Sequence, residues 1–193
     1  MPRNFPRLPH TDPAYNLLQA VERRLPTFMA GRQRTDAFLE CGAAIDSLHS
    51  ILSAELPRVP AVLPAAAGAA ALAPAPMTSP LQFQKIEIGV LRNDTPSGTD
   101  GSHWGLLLKV GQYFLLIDPT WLQFEIPYRE KNGDYQYLLT HHGHLLSGYL
   151  PFVSHGTTRE EAISEWKSFL VRLKYVTAVR HPEFHDARNK AAS

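Results

Sequence analysis

Three side chains of this 193-residue chain have the chemistry of an activated thiol: Cys41, which is its only cysteine, His103 and Asp118. A free thiol is mostly protonated at neutral pH, so a nucleophilic cysteine needs a helix amino end and a nearby imidazole that favour the thiolate. The imidazole needs a carboxylate that fixes its tautomer and stabilises its charged form. The three residue types therefore predict nucleophilic catalysis through sulfur, if the fold brings them to one place.

The first element that must position them is a hairpin that carries His103 and Asp118. The apolar runs 106–110 and 113–117 are typical of buried strands, and Gly111–Gln112 between them is typical of a two-residue type II′ turn. In that register His103 and Asp118 are diagonal neighbours on one face, roughly 7 Å apart at Cα. A turn longer by one residue would send them to opposite faces, so their pairing is a geometric prediction.

The second element is a helix that carries Cys41. The spacing of apolar residues predicts a helix that is opened by Thr35 or Asp36 and runs to about Glu55. Cys41 lies on its buried stripe, near the amino end. A start at Gly42, directly after the cysteine, is the alternative. The choice matters because the helix dipole favours a thiolate only near the first turn.

The remaining segments indicate the α+β class. Their predicted elements are a helix from Asp12 to Pro26, strands at 82–91, 135–139 and 145–150, and a helix opened by a Thr157–Glu160 capping box. The Pro/Ala-rich run 57–80 is predicted to be a flexible surface insertion, and the polar tail after about residue 180 is predicted to fray. Helices followed by a mostly antiparallel sheet and a closing helix favour a single α+β domain over residues 1–193.

Composition and charge exclude several functional classes. The chain has 19 basic and 18 acidic residues, so it offers no electrostatic case for binding nucleic acid. A single cysteine excludes an internal disulfide and a multi-cysteine zinc site. Prolines interrupt the most apolar segment, 59–77, and no apolar run follows the amino-terminal charges, so neither a membrane span nor a secretory signal is predicted. The predicted location is the cytoplasm, as a soluble protein, with delivery by a leaderless secretion system left open.

A histidine-rich turn is predicted at 141–144, where His141, His142 and His144 offer imidazole ligands for zinc. Three ligands from one turn are spaced too tightly for a tetrahedral site, and no acidic partner follows them. A solvated loop is therefore the prediction, without a metal or any other cofactor.

The order of the three reactive residues resembles a known superfamily. A cysteine at the start of a helix, a histidine that opens a strand and an aspartate fifteen positions later that closes the next strand resemble the papain-like/transglutaminase-like cysteine hydrolases. The sequences His103-Trp104 and Ile117-Asp118-Pro119-Thr120 are similar to the transglutaminase-like branch and to bacterial effector and toxin proteases and deamidases. The resemblance covers roughly 35–56 and 102–124. It implies a papain-like/transglutaminase-like fold with Cys41 as nucleophile, His103 as base and then acid, and Asp118 as the orienting group.

The chain also departs from that superfamily around its cysteine. Gly42 stands where many members have tryptophan, and Leu39-Glu40 replaces the arginine-glycine-glycine sequence that precedes the cysteine of arylamine N-acetyltransferases. By the same resemblance, Gln33 is a candidate oxyanion donor, because papain-like enzymes often use a glutamine shortly before the nucleophile. The backbone N–H of Cys41 is the other candidate.

Three large aromatic residues are candidates for substrate binding: Trp104, Trp121 and Phe124. Core filling is the alternative for Trp121 and Phe124, since large aromatic side chains pack in cores regardless of function. The predicted substrate is a protein or peptide whose amide bond, in the backbone or in a glutamine side chain, is cleaved through a thioester.

Two further functions stay open. An acyltransferase would use the same triad, because an amine in place of water changes only the acceptor. A catalytically silent interaction domain with the same fold would bind a partner through Trp121, Phe124 and Tyr128. That domain predicts that Cys41 is deeply buried and unreactive.

Overall fold

The central hairpin has the register that its turn chemistry predicts. In the computed structural model, β2 (Gly101–Val110) and β3 (Tyr113–Asp118) are antiparallel, and Val110 pairs with Tyr113. Gly111 has a φ of 60°, and no residue other than glycine has a positive φ among the residues that the structure describes. A positive φ at the first central position alone is the type II′ pattern, so the prediction is confirmed.

The structure describes residues 6–12, 15–32, 40–55, 82–95, 101–131, 133–146, 149–180 and 182–186. Besides the hairpin, these residues form α1 (Tyr15–Arg32), α2 (Cys41–Glu55), β1 (Phe83–Arg92), a short 3-10 helix (Trp121–Phe124), α3 (Tyr135–Leu146), β4 (Phe152–Gly156), α4 (Arg159–Leu170), β5 (Val176–Val179) and β6 (Glu183–Asp186). The predicted insertion at 57–80 and the candidate Gln33 lie outside the described residues.

One antiparallel sheet joins the described strands in the order β4-β3-β2-β1-β5, and β6 also pairs with β1. The predicted class, helices packed on a mostly antiparallel sheet, is therefore confirmed at the level of α+β. No helix among the described residues has the length and apolar character that crossing a membrane requires.

The sheet separates two apolar cores, because successive side chains of a strand point to opposite faces. The first core joins α1 and α2 to hairpin residues Leu106, Leu108, Leu115 and Ile117. The second core joins α4 to hairpin residues Leu107 and Leu116 and to β1 residues Ile86, Ile88 and Val90. His103 and Asp118 continue the alternation of Leu107 and Leu116, so they face α4.

Helix α1 continues through Pro26, so the helix end predicted there is wrong. A proline inside a helix costs about 3 kcal/mol, because it removes one backbone hydrogen bond and crowds the preceding turn. The turn that follows buries Phe28 and Met29, which are 6% and 1% exposed, in the first core. Burial of two such side chains contributes about 1.5–3 kcal/mol each, which offsets the cost.

Helix α3 covers 135–139 and 145–146, and residues 149–150 are not in a strand, so the strands predicted at 135–139 and 145–150 are wrong among the described residues. The alternation of large apolar residues in 135–139 imitates a strand. However, the carboxylate of Asp134 accepts a hydrogen bond from the N–H of Tyr137 at 2.6 Å, as a helix cap does. Leu138 and Leu146 then bury on one side of the helix in the first core.

The capping box of α4 lies one residue later than predicted. Thr158 accepts a hydrogen bond from the N–H of Glu161, and the Glu161 carboxylate accepts one from the N–H of Thr158. Thr157 also donates to the Glu161 carboxylate, which explains why both threonines fit the sequence pattern.

The carboxy-terminal segment does not fray where the sequence predicts it. Strands β5 and β6 pair with different parts of β1, at Val90–Arg92 and Gln84–Glu87. Without them, β1 would present an edge of unpaired backbone groups along the sheet. The residues beyond 186 lie outside the described part of the chain.

Candidate functional site

His103 and Asp118 form a direct pair inside the protein. The Nε2 atom of His103 lies 2.6 Å from Oδ2 of Asp118, and both side chains are 0% exposed. This contact is the diagonal approach across β2 and β3 that the hairpin register predicts. Because Nε2 is occupied by the carboxylate, Nδ1 is the nitrogen that remains for other partners.

The Asp118 carboxylate is surrounded by donors. Its Oδ1 accepts a hydrogen bond from the N–H of Thr120 at 2.9 Å, and the Thr120 hydroxyl lies at 3.5 Å. Its Oδ2 accepts the indole N–H of Trp166 at 2.8 Å, in addition to the contact with His103. A buried carboxylate without donors would be costly, so these contacts stabilise its negative charge and fix its orientation.

Trp166 reaches this carboxylate because Gly105 leaves room for its ring. A Cβ atom at position 105 would lie 3.0 Å from Cδ2 of Leu116 and 3.0 Å from Cη2 of Trp166. In the sequence, Trp166 is one of several large apolar residues in the helix that follows the capping box. Its contact with Asp118 joins residues 48 positions apart, and spacing along the chain gives no signal for it.

Cys41 lies in the first turn of α2. The N–H of Ala44 donates to the carbonyl of Glu40 at 2.9 Å, so the backbone N–H groups of Cys41 and Gly42 precede the first helical hydrogen bond. The starts predicted at Thr35 or Asp36 fall outside the described residues, whereas the helix that the structure describes begins at the cysteine itself. The sulfur is therefore at the positive end of the helix dipole.

The sulfur of Cys41 reaches the strand that carries His103. Its Sγ lies 3.6 Å from the carbonyl oxygen of Ser102, the residue before the histidine, and the side chain is partly exposed. Burial lowers the pKa of His103, but the charge and hydrogen bond of Asp118, followed by those of Cys41, outweigh it and raise the pKa to about 9. The structure thus brings the three predicted residues together, with His103 favoured in its protonated form at neutral pH.

Two residues of the short 3-10 helix complete the surroundings of the imidazole, and neither contact is predicted from the sequence. The side-chain Nε2 of Gln123 lies 3.2 Å from Nδ1 of His103. The ring of Phe124 meets the imidazole edge to face, with 4.8 Å between centroids. The signal for Gln123 is a polar residue within the apolar sequence Trp-Leu-Gln-Phe, because a buried amide requires hydrogen-bond partners.

A buried arginine holds the backbone of this 3-10 helix in place. Arg92 donates to the carbonyl oxygens of Gln123 at 2.9 Å and Ile126 at 2.7 Å. It also donates to both carboxylate oxygens of Asp94 at 2.8 and 2.9 Å. Burial raises the pKa of Asp94, but the hydrogen bond from Arg92 and the other favourable contacts lower it overall. The segment after β3 is therefore fixed to the end of β1.

The candidate substrate-binding residues pack within the fold. The indole of Trp121 donates to the carbonyl of Leu150 at 2.9 Å and contacts Tyr149 and Phe169. Trp104 is partly buried against the first core, and Phe124 is buried beside His103. These positions fit the core-filling alternative for Trp121 and Phe124, and a role in substrate binding stays a prediction.

The histidine cluster lies in α3 and not in the predicted solvated turn. His142 is at a kink of that helix, with φ −128° and ψ 18°, and its Nε2 lies 2.8 Å from the Glu130 carboxylate. The ring of His141 stacks on Tyr137 at a centroid distance of 4.1 Å. Among the described residues, no group of three or more histidine, cysteine, aspartate or glutamate side chains is arranged to hold a metal ion.

Comparisons of the chain with protein-family models, with curated proteins and with solved structures found no match. The chemical capability of the site rests on the arrangement of Cys41, His103 and Asp118.

Proposed function

We propose that this protein is a thiol-dependent hydrolase that cleaves an amide bond in a protein or peptide. The observation that carries the proposal is the buried pair of His103 and Asp118 beside the only cysteine of the chain, which begins a helix. A silent interaction domain would bury its cysteine deeply, whereas Cys41 is partly exposed. The proposed fold family is the papain-like/transglutaminase-like one, supported by a cysteine-bearing helix packed on an antiparallel hairpin that carries the histidine and the aspartate.

The first half of the proposed reaction forms a thioester. At neutral pH the thiol proton of Cys41 lies on Nδ1 of His103, because Nε2 is held by Asp118, so the sulfur reacts as a thiolate. The sulfur then attacks the amide carbonyl carbon, and the backbone N–H groups of α2 that precede its first helical hydrogen bond donate to the resulting oxyanion. The C–N bond breaks as Nδ1 returns its proton to the leaving amine.

The second half releases the product. A water molecule gives a proton to Nδ1 of His103 while its oxygen attacks the thioester carbon. The C–S bond breaks, the sulfur of Cys41 leaves as a thiolate, and Nδ1 keeps the proton taken from water, which restores the starting ion pair. An amine that enters in place of water gives acyl transfer by the same steps, so the acceptor decides between hydrolase and acyltransferase.

The test is the rate at which iodoacetamide alkylates Cys41 as a function of pH. Because the chain has a single cysteine, labelling reports this site alone. An imidazole-paired thiol should react at least roughly tenfold faster at about pH 6 than the same protein unfolded in urea, where the thiol is mostly protonated. The variant His103→Ala should lose that advantage.

Two outcomes would overturn the proposal: a labelling rate at about pH 6 no higher in the folded protein than in urea, or an unchanged rate in His103→Ala. On a candidate substrate, ammonia release indicates a deamidase and a new amino terminus indicates a protease. The variant Thr158→Ala at the distant α4 cap serves as a control, since it weakens the fold without touching the sulfur.

A further inference from the structure

We propose that Gln123 is a positioning residue that favours the neutral tautomer of His103 with its proton on Nε2, so that Nδ1 is the nitrogen that gives up and regains a proton beside Cys41. The link to the proton of Cys41 rests on the proposed function. The hydrogen bonds that position the imidazole are independent of any activity, so the two ideas can fail separately.

The orientation of the Gln123 amide follows from its contact with a backbone carbonyl. The Nε2 atom of Gln123 lies 3.1 Å from the carbonyl oxygen of Thr120. A carbonyl oxygen only accepts hydrogen bonds, so the side-chain atom beside it is the amide nitrogen and not the amide oxygen. One amide hydrogen is thereby assigned to Thr120, and the other is available to His103.

The second hydrogen of that amide determines whether Nδ1 of His103 donates or accepts a hydrogen bond. Nδ1 lies 3.2 Å from the same amide nitrogen, which has no lone pair to offer. Nδ1 is therefore the acceptor, and the imidazole proton lies on Nε2, where the Asp118 carboxylate accepts it at 2.6 Å. Both ring nitrogens have a partner that specifies the same neutral tautomer.

The contacts of Gln123 hold its amide in one orientation, so it can determine the tautomer of His103. Gln123 is 6% exposed, and its backbone N–H donates to the carbonyl of Thr120 at 3.2 Å. Its own carbonyl accepts a hydrogen bond from the buried Arg92 at 2.9 Å. Phe124, the next residue, packs against the imidazole edge to face. The amide cannot turn away without breaking its bond to Thr120.

Gln123 and Cys41 thus compete for the same nitrogen. When Nδ1 carries a proton, that proton requires an acceptor, and the sulfur can serve as one whereas the amide nitrogen of Gln123 cannot. Gln123 stabilises the neutral imidazole, while Asp118 stabilises the protonated one. The balance between the two sets how readily His103 gains and returns a proton at Nδ1.

The experiment is NMR of the ring nitrogens of His103 in the full chain across its titration. In the wild type above the titration midpoint, Nε2 should be protonated and Nδ1 unprotonated. The variant Gln123→Met removes the donor and should move the midpoint upward by roughly 0.5 to 1 pH unit, as expected for one lost hydrogen bond. The variant Gln123→Glu brings a carboxylate to the same place and should move it upward by more than about one unit.

Gln136→Met, at an exposed glutamine of α3, is the matched control and should leave the midpoint unchanged. A wild-type imidazole protonated on Nδ1 above the midpoint overturns the proposal even if the variants fail to fold. A midpoint that does not rise in a folded Gln123 variant also overturns it. A purely structural glutamine would lower the melting temperature without moving the titration.

The same measurements separate this inference from the proposed function. Repeating the titration in Cys41→Ala removes the competing sulfur, and the upward shift on Gln123→Met should persist there. If alkylation of Cys41 proves independent of His103 while the midpoint still rises, the hydrolase proposal fails and the role of Gln123 stands. If alkylation depends on His103 but the midpoint does not rise on Gln123→Met, the hydrolase proposal stands and the role of Gln123 fails.

Discussion

Replacing Asp118 with asparagine, in a chain that also carries Cys41→Ala, should reverse the way in which the unfolding free energy depends on pH. The Asp118 carboxylate is the main group that raises the pKa of His103 to about 9, against the lowering effect of burial. A histidine with a raised folded pKa contributes stability that is fully present below its unfolded pKa of about 6.5. That contribution is lost as the pH rises through 9.

The size of the effect follows from the two pKa values. The difference between about 6.5 and about 9 corresponds to on the order of 3 kcal/mol of unfolding free energy at the acidic side of this window. Domains of this kind unfold with about 5–15 kcal/mol, so the wild type should weaken measurably as the pH rises. In Asp118→Asn combined with Cys41→Ala, burial acts without either favourable partner and lowers the pKa of His103, so the unfolding free energy should instead fall as the pH drops below about 6.5.

The assay is urea unfolding, followed by tryptophan fluorescence, at a series of pH values spanning the window. Wild type and Asp118→Asn are compared, each also with Cys41→Ala so that titration of the thiol is removed from both. The slope of the wild-type unfolding free energy against pH should become shallower but keep its sign in Cys41→Ala, because Cys41 also contributes to the raised pKa of His103. Equal slopes in wild type and Asp118→Asn would refute the assignment of the carboxylate as the partner of His103.

Two further changes test the surroundings of the pair, and a third tests the cap of α4. Trp166→Phe removes the indole N–H that donates to Oδ2 of Asp118, so it should lower the unfolding free energy by about 1.5–3 kcal/mol. It should also raise the midpoint of His103 in an NMR titration, and an unmoved midpoint would contradict the role of the indole. Gly105→Ala places a Cβ 3.0 Å from the Trp166 ring and should cost about 1–3 kcal/mol in urea unfolding, and a crystal structure with an undisplaced indole would argue against this strain. Thr158→Ala should cost about 1 kcal/mol and leave Cys41 alkylation in the folded protein unchanged.

The central pair could be predicted because its causes are local. Two residues of turn, Gly111–Gln112, fix the register of the hairpin, and a period of two then fixes which side chains share a face. His103 and Asp118 follow from these rules alone. The position of Cys41 near a helix start also follows from the spacing of apolar residues, although the pattern left the exact start open.

The supporting contacts could not be predicted, because they depend on how distant elements pack. Trp166 reaches Asp118 from the last helix, and only the packing of α4 on the sheet determines this approach. Gln123 faces His103 because Arg92, on another strand, holds the carbonyl of its short helix. Pattern rules describe the periodicity of a segment and not the atom that its polar group meets.

Two predictions are wrong for the same reason, because contacts outside the segment itself determine its structure. The segment 135–139 alternates as a strand does, yet the Asp134 cap and the burial of Leu138 make it helical. The tail looks too polar to be ordered, yet β1 offers it a row of backbone partners. In each case a neighbour distant in sequence or a single capping side chain outweighs the local preference.

The contact between Trp166 and Asp118 has a consequence for biosynthesis. A ribosome makes Cys41, His103 and Asp118 well before it makes α4, and domains fold as units once their elements have emerged. Until that helix docks over Gly105, the carboxylate lacks its indole donor and remains open to water. In the nascent chain the site of Cys41, His103 and Asp118 is therefore incomplete, and the thiol acquires its final environment only after α4 has been translated.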